Sequence, residues 1–182
     1  MRIKVGVMGS AAPESSRLET GSTLVEKAER LAHAIAKKDV VLFTGATTGI
    51  VYVVGKTAHE AGSFHVGISP ASNEAEHVER YKLPLDACDT IVYTGFGLKG
   101  RNVVLVRSCD IVLFVAGAMG SLNEFTIAHD ERKIIGCLLG TGGVADDSEH
   151  LIQKFGKRST ARVFYNEDPE RLIEDCLKNY GF

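Results

Sequence analysis

Two small-residue turns follow one another between Gly95 and Phe125, and each stands between a short apolar run and a helical pattern. The first, Gly95-Phe96-Gly97-Leu98-Lys99-Gly100, leads into a helix expected to open at Arg101. The second, Ala116-Gly117-Ala118-Met119-Gly120, leaves the apolar run Ile111–Val115 and leads into a helix expected to open near Ser121. Strand, turn, helix, strand, turn, helix is the order of a parallel sheet with helical crossovers. In such a sheet successive strand-to-helix turns lie on one carboxyl edge, where open α/β sheets bind ligands. Neighbouring helices pack roughly 8–10 Å apart, so Arg101 and Glu124, from the first turns of two consecutive helices, are expected to face one cleft.

The same alternation runs through the chain. Strands are predicted at Ile3–Met8, Val40–Phe43, Phe64–Ile68, Thr90–Thr94, Ile111–Val115, Ile134–Leu139 and Arg162–Tyr165. Thr23 and Glu26 form a capping box for a helix whose Leu24, Ala28, Leu31 and Ile35 share a face. Further helices are predicted from Ile50 to Ala61, from Leu122 to about Arg132, within Asp146–Lys157 and from Pro169 to Tyr180. Ala71–Asp89 reads as a long polar loop with one short helix around Glu74–Glu79, a length typical of lids and binding loops. The expected fold is α/β: a doubly wound, mostly parallel sheet flanked by helices, with all 182 residues in a single domain.

Composition narrows the function. The 21 Lys and Arg against 23 Asp and Glu leave a net charge of −2 without a basic block, so no nucleic acid is expected as a partner. No apolar run approaches the roughly 20 residues that span a bilayer, and the N-terminus enters a strand directly, with no signal-peptide pattern. A cytoplasmic protein without a membrane partner is expected. Cys88, Cys109, Cys137 and Cys176 are scattered without a CxxC pair and read as reduced, structural thiols. The six histidines form neither HxH nor HExxH, so neither a metal nor a cofactor is expected.

Several motifs compete for the phosphate role. Gly49 with Gly55-Lys56-Thr57 imitates a P-loop, but five residues separate the glycines instead of four and Lys56 falls mid-helix, which rules out an ATPase of that type. The GxGxxG at Gly95–Gly100 lacks an acidic residue at the end of the following strand, where Ala116 and Gly117 stand, so a dinucleotide fingerprint is disfavoured. Gly9-Ser10 and Thr44-Gly45-Ala46-Thr47-Thr48-Gly49 both leave strands as small-residue turns; they suit either close ligand approach at a helix N-terminus or tight helix–sheet packing. Ser121 and Glu124 are spaced as a capping box, so Glu124 either caps its own helix or serves chemistry. Arg101 at a helix start opposes the local dipole, which suggests a bound anion or a carboxylate partner. Arg107 and Asp110 read as structural.

The run Arg101-Asn102, Arg107, Asp110, Ala116–Glu124 resembles the lonely-guy (LOG) family, labelled lysine decarboxylase-like, with its arginine followed by PGGxGTxxE. Thr44–Val51 is similar to that family's GGGxxGLM segment. Arg101-Asn102, Gly67-Ile68-Ser69-Pro70 and Thr94-Gly95 look closer to the DprA/Smf-related branch, which includes molybdenum cofactor carrier proteins. The resemblance implies a Rossmann-like homodimer or higher homo-oligomer with a small-molecule ligand, a nucleoside monophosphate or another phosphorylated metabolite. It implies a phosphoribohydrolase that cleaves an N-glycosidic bond to free base and ribose 5-phosphate, or a carrier without catalysis. On this chain the catalytic roles fall on Arg101 and Glu124. Phosphate and nucleotide binding falls on Gly9, Ser10, Gly45, Gly49, Thr94, Gly95, Asn102, Gly117, Ala118, Met119, Gly120 and Ser121. The chain departs from the motifs at Ala116 (proline), Ala118 (glycine) and Ser121 (threonine), and at Thr44 and Ala46 (both glycine).

Overall fold

The computed structural model describes residues 1–11, 23–156 and 160–180. Seven strands form one sheet: β1 (Ile3–Gly9), β2 (Val40–Thr44), β3 (Phe64–Ser69), β4 (Thr90–Tyr93), β5 (Ile111–Val115), β6 (Ile134–Leu138) and β7 (Arg162–Asn166). Every pairing is parallel and the order is β4-β3-β2-β1-β5-β6-β7. The strand order reverses between β1 and β5, whose carboxyl ends are in register at Gly9 and Val115. That reversal is the topological switch point, where adjoining crossovers leave on opposite faces and open a crevice.

Among the described residues five α-helices connect strands, α1 (Thr23–Ala36), α2 (Gly49–Glu60), α3 (Gly97–Ser108), α4 (Met119–Asp130) and α5 (Gly143–Phe155), and α6 (Pro169–Lys178) follows β7. Val5, Val7, Ile111, Leu113 and Val115 pack with α1, α2 and α6 in one core, while Met8, Val112, Phe114 and Ile135 pack with α3, α4 and α5 in the other. The alternation along β1 and β5 is the period of two that a strand imposes, covered here on both faces. β5 and β6 are buried at every residue.

The strand bounds match the sequence expectation to within a residue. The starts of α2 at Gly49 and α6 at Pro169 match as well, but those of α3, α4 and α5 do not. α3 begins at Gly97, four residues before Arg101, and α4 begins at Met119, five before Glu124. Glycines at 97, 100 and 120 hid both starts, because glycine is a poor helix former whose presence reads as a turn. α5 is a full helix from Gly143, and the expected end of that segment at Lys157 lies outside the described residues, as do Ala12, Pro13 and Ser22. The short helix predicted near Glu74 continues into a π-helical turn at Glu76–Arg80. Lys56 is mid-α2, with its Nζ on Asp86 Oδ2 at 2.8 Å and Tyr52 OH at 3.1 Å. Among the described residues no helix is long and apolar enough to cross a membrane.

Candidate functional site

A cavity of about 280 Å³ opens at the switch point. Gly9, Ser10 and Ala11 after β1 line it, with Gly45 and Thr47 after β2, Leu98 to Asn102 on α3, and Ala118, Gly120, Ser121 and Glu124. Of the residues singled out from sequence, this wall brings together Gly9, Ser10, Gly45, Arg101, Asn102, Ala118, Gly120, Ser121 and Glu124.

Others lie elsewhere. Thr94 Oγ1 donates to Ser69 O at 2.7 Å and the Gly95 amide to Ala71 O at 2.8 Å, so this turn locks the exit of β4 onto that of β3. Gly49, with φ 73°, packs against Ser10 O; a β-carbon there would stand 2.3 Å from that oxygen. Met119 is exposed to solvent. Gly117 is a backbone hinge with φ 113°. Thr141-Gly142-Gly143, after β6, backs the β5–α4 turn from behind. Thr141 Oγ1 accepts from the Ala116 amide at 2.9 Å, and the Val144 and Ala145 amides at the start of α5 donate to Gly117 O and Ala116 O. A trans peptide sets C=O and N–H on opposite sides. With both carbonyls turned to α5, the Gly117 and Ala118 amides point away from it. The first amides of α4 have no intrahelical acceptor.

Glu124 does not cap its helix. The cap residue is Ala118, which makes no side-chain cap bond, and Ser121 lies within α4 with its hydroxyl donating to Gly9 O at 3.0 Å. Glu124 is 7% exposed and Arg101 also 7%, with Nη1 to Oε1 at 3.7 Å, an ion pair beyond hydrogen-bond length. Arg101 Nε is buried with no hydrogen-bond partner. Burial pushes Glu124 up to about 7, opposed by the positive charges of Arg101 and Lys99. Burial lowers the pKa of Arg101, and Glu124 opposes that shift. Two mutually facing, desolvated charged groups, one with an unpaired donor, are an arrangement found more often at functional sites than in structural bridges.

Gly45 makes room for this arginine, because a β-carbon there would fall 1.9 Å from Arg101 Nη1. The departures at the motif positions also acquire a physical reading. Ala46 and Ala116 hold φ 47° and 54°, left-handed values that suit glycine and cost alanine about 1 kcal/mol. A proline ring, fixed near φ −65°, could not stand at 116. Ala118 is extended, with φ −120°, so its methyl group is accommodated without strain.

Sequence reasoning missed Lys99 and Asn123. Lys99 lines the cavity beside Gly120, and its place two residues before Arg101 was the signal available. Asn123 meets Asn102 Nδ2 at 2.9 Å, a contact between helices that spacing cannot show. Arg107 bonds Glu131, and Asp110 accepts from both the amide and Nζ of Lys4. All four cysteines are free. Among the described residues no cluster of three His, Cys, Asp or Glu could hold a metal ion.

Fold and cavity together define a Rossmann-like α/β protein with a small-ligand crevice at its switch point. The chain belongs to the SLOG cluster4 family, whose profile matches residues 2–173. The solved structure of TM1055, a structural-genomics target, is 25% identical with a TM-score of 0.82, over 97% of this chain and 99% of that one. The molybdenum cofactor binding protein of the phototrophic bacterium Rippkaea orientalis is 25% identical with a TM-score of 0.74, over 98% and 97%. DNA processing protein A of Helicobacter pylori, described for its single-stranded DNA binding mode, shares the fold at 17% identity and a TM-score of 0.62, over 98% and 81%. That likeness overturns the exclusion of nucleic acid drawn from charge. A total of −2 averages over the whole surface, whereas nucleic acid responds to the local field of one groove.

Proposed function

We propose that this protein is a nucleoside 5′-monophosphate phosphoribohydrolase-like enzyme, cleaving the N-glycosidic bond to free base and ribose 5-phosphate. The observation that carries the reading is the buried Arg101–Glu124 pair on the wall of a cavity that also meets the start of α4. The cavity lies near the lower end of small-ligand pockets, roughly 300–1,000 Å³. The 5′-phosphate would rest on the amides of Gly117 to Ser121, with Lys99 alongside. In the reaction the C1′–N bond breaks, its electron pair leaves with the base, and water adds to C1′. Glu124 would stabilise positive charge at C1′ and take the proton from that water, which then passes through solvent to the departing base nitrogen, a role suited to a carboxyl that titrates near neutrality. Arg101 would orient the ligand through its guanidinium on the cavity wall.

The rival reading is a carrier for molybdenum cofactor or another phosphorylated metabolite. Full-length similarity to the Rippkaea orientalis protein favours it. Incubation with AMP decides between them: adenine and ribose 5-phosphate support the hydrolase, whereas tight retention of a pterin phosphate with no product from AMP supports the carrier. The homodimer that the resemblance implies would cover the exposed Leu98, Val103 and Met119 of α3 and α4, and a monomeric mass by light scattering would remove it.

A further inference from the structure

We propose that Asn102 is a positioning residue for Glu124: its carboxamide holds Oε1 from behind, with Asn123 as counterpart, and turns over when Glu124 gains a proton. The cavity-facing edge thereby changes from a carboxylate to an acid in step with the turning of this amide.

Asn102 follows Arg101 on α3 and is 3% exposed. One side of its carboxamide faces two acceptors, Leu98 O and Glu124 Oε1, each at 3.0 Å, and the other faces Asn123 Oδ1 at 2.9 Å. An amide has one donating end and one accepting end, so it cannot donate to both sides at once. With Glu124 ionised, the nitrogen turns toward Leu98 O and Oε1 and donates to both, and the oxygen accepts from Asn123 once that amide has turned. With a solvent proton on Oε1, the acid donates to Asn102 Oδ1 while Asn102 Nδ2 donates to Asn123 Oδ1. This second arrangement gives up the bond from Asn102 to Leu98 O, which then faces Asn102 Oδ1 at 3.0 Å.

Leu98 O favours the first arrangement, so the net effect of Asn102 is to support the carboxylate. The charged groups acting on Glu124 are Arg101 and Lys99, both on α3 and both favouring ionisation; β1 presents the apolar Val7 and Met8 to the cavity, and the Cys109 thiol at the end of α3 is held neutral by burial. Asp146, in the first turn of α5, is occupied by the Gly140 and Gly142 amides. Burial opposes the two cations and brings Glu124 to about 7, so both arrangements are populated at neutral pH. Glu124 Oε2 has no hydrogen-bond partner among the described residues and remains for the ligand.

The test is an NMR titration of the whole protein between about pH 5 and pH 9, following the Asn102 side-chain amide and the Glu124 carboxyl carbon together. The two signals are expected to share one midpoint, and the Asn102 response is expected to vanish in Glu124→Gln. Asn102→Ala is expected to raise the Glu124 midpoint by about one unit, the scale of a lost hydrogen bond to a charged acceptor. Asn123→Ala, at a half-buried position, should raise it less. A purely packing role for Asn102 would lower the melting temperature and leave the midpoint in place. Asn102 amide signals that stay flat while Glu124 titrates in the wild-type protein would overturn the proposal, whether or not Asn102→Ala folds. The inference rests on Glu124 as the reactive group of the site but is read without turnover. A protein that titrates as described and cleaves nothing loses the hydrolase reading alone.

Discussion

Arg30 on α1 and Arg101 on α3 both stand beside a glutamate, and the two environments are opposites. Arg30 is half exposed and hydrogen-bonded to Glu170 Oε1 at 3.1 Å and to Asp168 Oδ2 at 2.9 Å. Arg101 is buried, 3.7 Å from its glutamate, with a nitrogen that meets no acceptor. Water screens the first cluster, so its good geometry adds little to stability. The second is shielded from water, where an incomplete set of bonds is costly. The surface arginine meets two carboxylates through Nε and Nη2, and the incomplete pair lies at the crevice of the strand-order reversal. The difference separates a charge that ties α1 to α6 from a buried charge with a donor left unpaired.

The largest expected effect lies on the buried side. If AMP is cleaved, Glu124→Gln should reduce product formation about 10²–10⁴-fold, the range for loss of a general base, while melting at pH 8 stays the same or rises because a buried charge is gone. A large loss of stability with turnover intact would return Glu124 to a structural role. The next effect is on stability against pH. Glu124 is raised from 4.5 to about 7 in the fold, so the folded protein holds this proton more tightly than the unfolded chain. Its contribution is complete below the ordinary carboxyl range and is lost as pH rises through about 7, up to about 3 kcal/mol in all. Denaturant unfolding at pH 5 and pH 8 should show this slope in the wild type and not in Glu124→Gln; equal slopes would mean the carboxyl is already solvated.

A smaller change is expected from Gly45→Ala, whose methyl group meets the guanidinium of Arg101. It should destabilise by about 1–3 kcal/mol through overpacking and weaken binding of AMP, measured by calorimetry. Unchanged affinity would mean that Arg101 does not contact the ligand. The smallest effect belongs to the surface: Arg30→Ala should leave the melting temperature unchanged within error in physiological salt, since all three partners lie in solvent. A clear loss there would erase the contrast between the two arginines.

The strands were legible because their signal is local. Val40–Thr44 and Ile111–Val115 are short β-branched and aromatic runs bounded by small residues, and burial on both faces makes them continuous. The position of Arg101 and Glu124 on one edge followed from the same alternation. The starts of α3 and α4 were not legible, since Gly97 and Gly120 sit inside helices that the rest of the fold holds in place. The capping-box pattern at Ser121 could not be judged either, because its hydroxyl is taken by Gly9 O, which is distant in sequence.

The order of residues by itself determined the α/β class, the parallel crossovers and the edge on which chemistry could gather, because periodicity and turn composition act over a few neighbouring residues. Only the tertiary structure decided that Gly45 seats Arg101, that α5 binds the carbonyls of Ala116 and Gly117, and that Asn102 lies against Glu124. Those contacts join residues from separate crossovers, and their burial, which sets the charge state of the site, exists only once both faces of the sheet are covered.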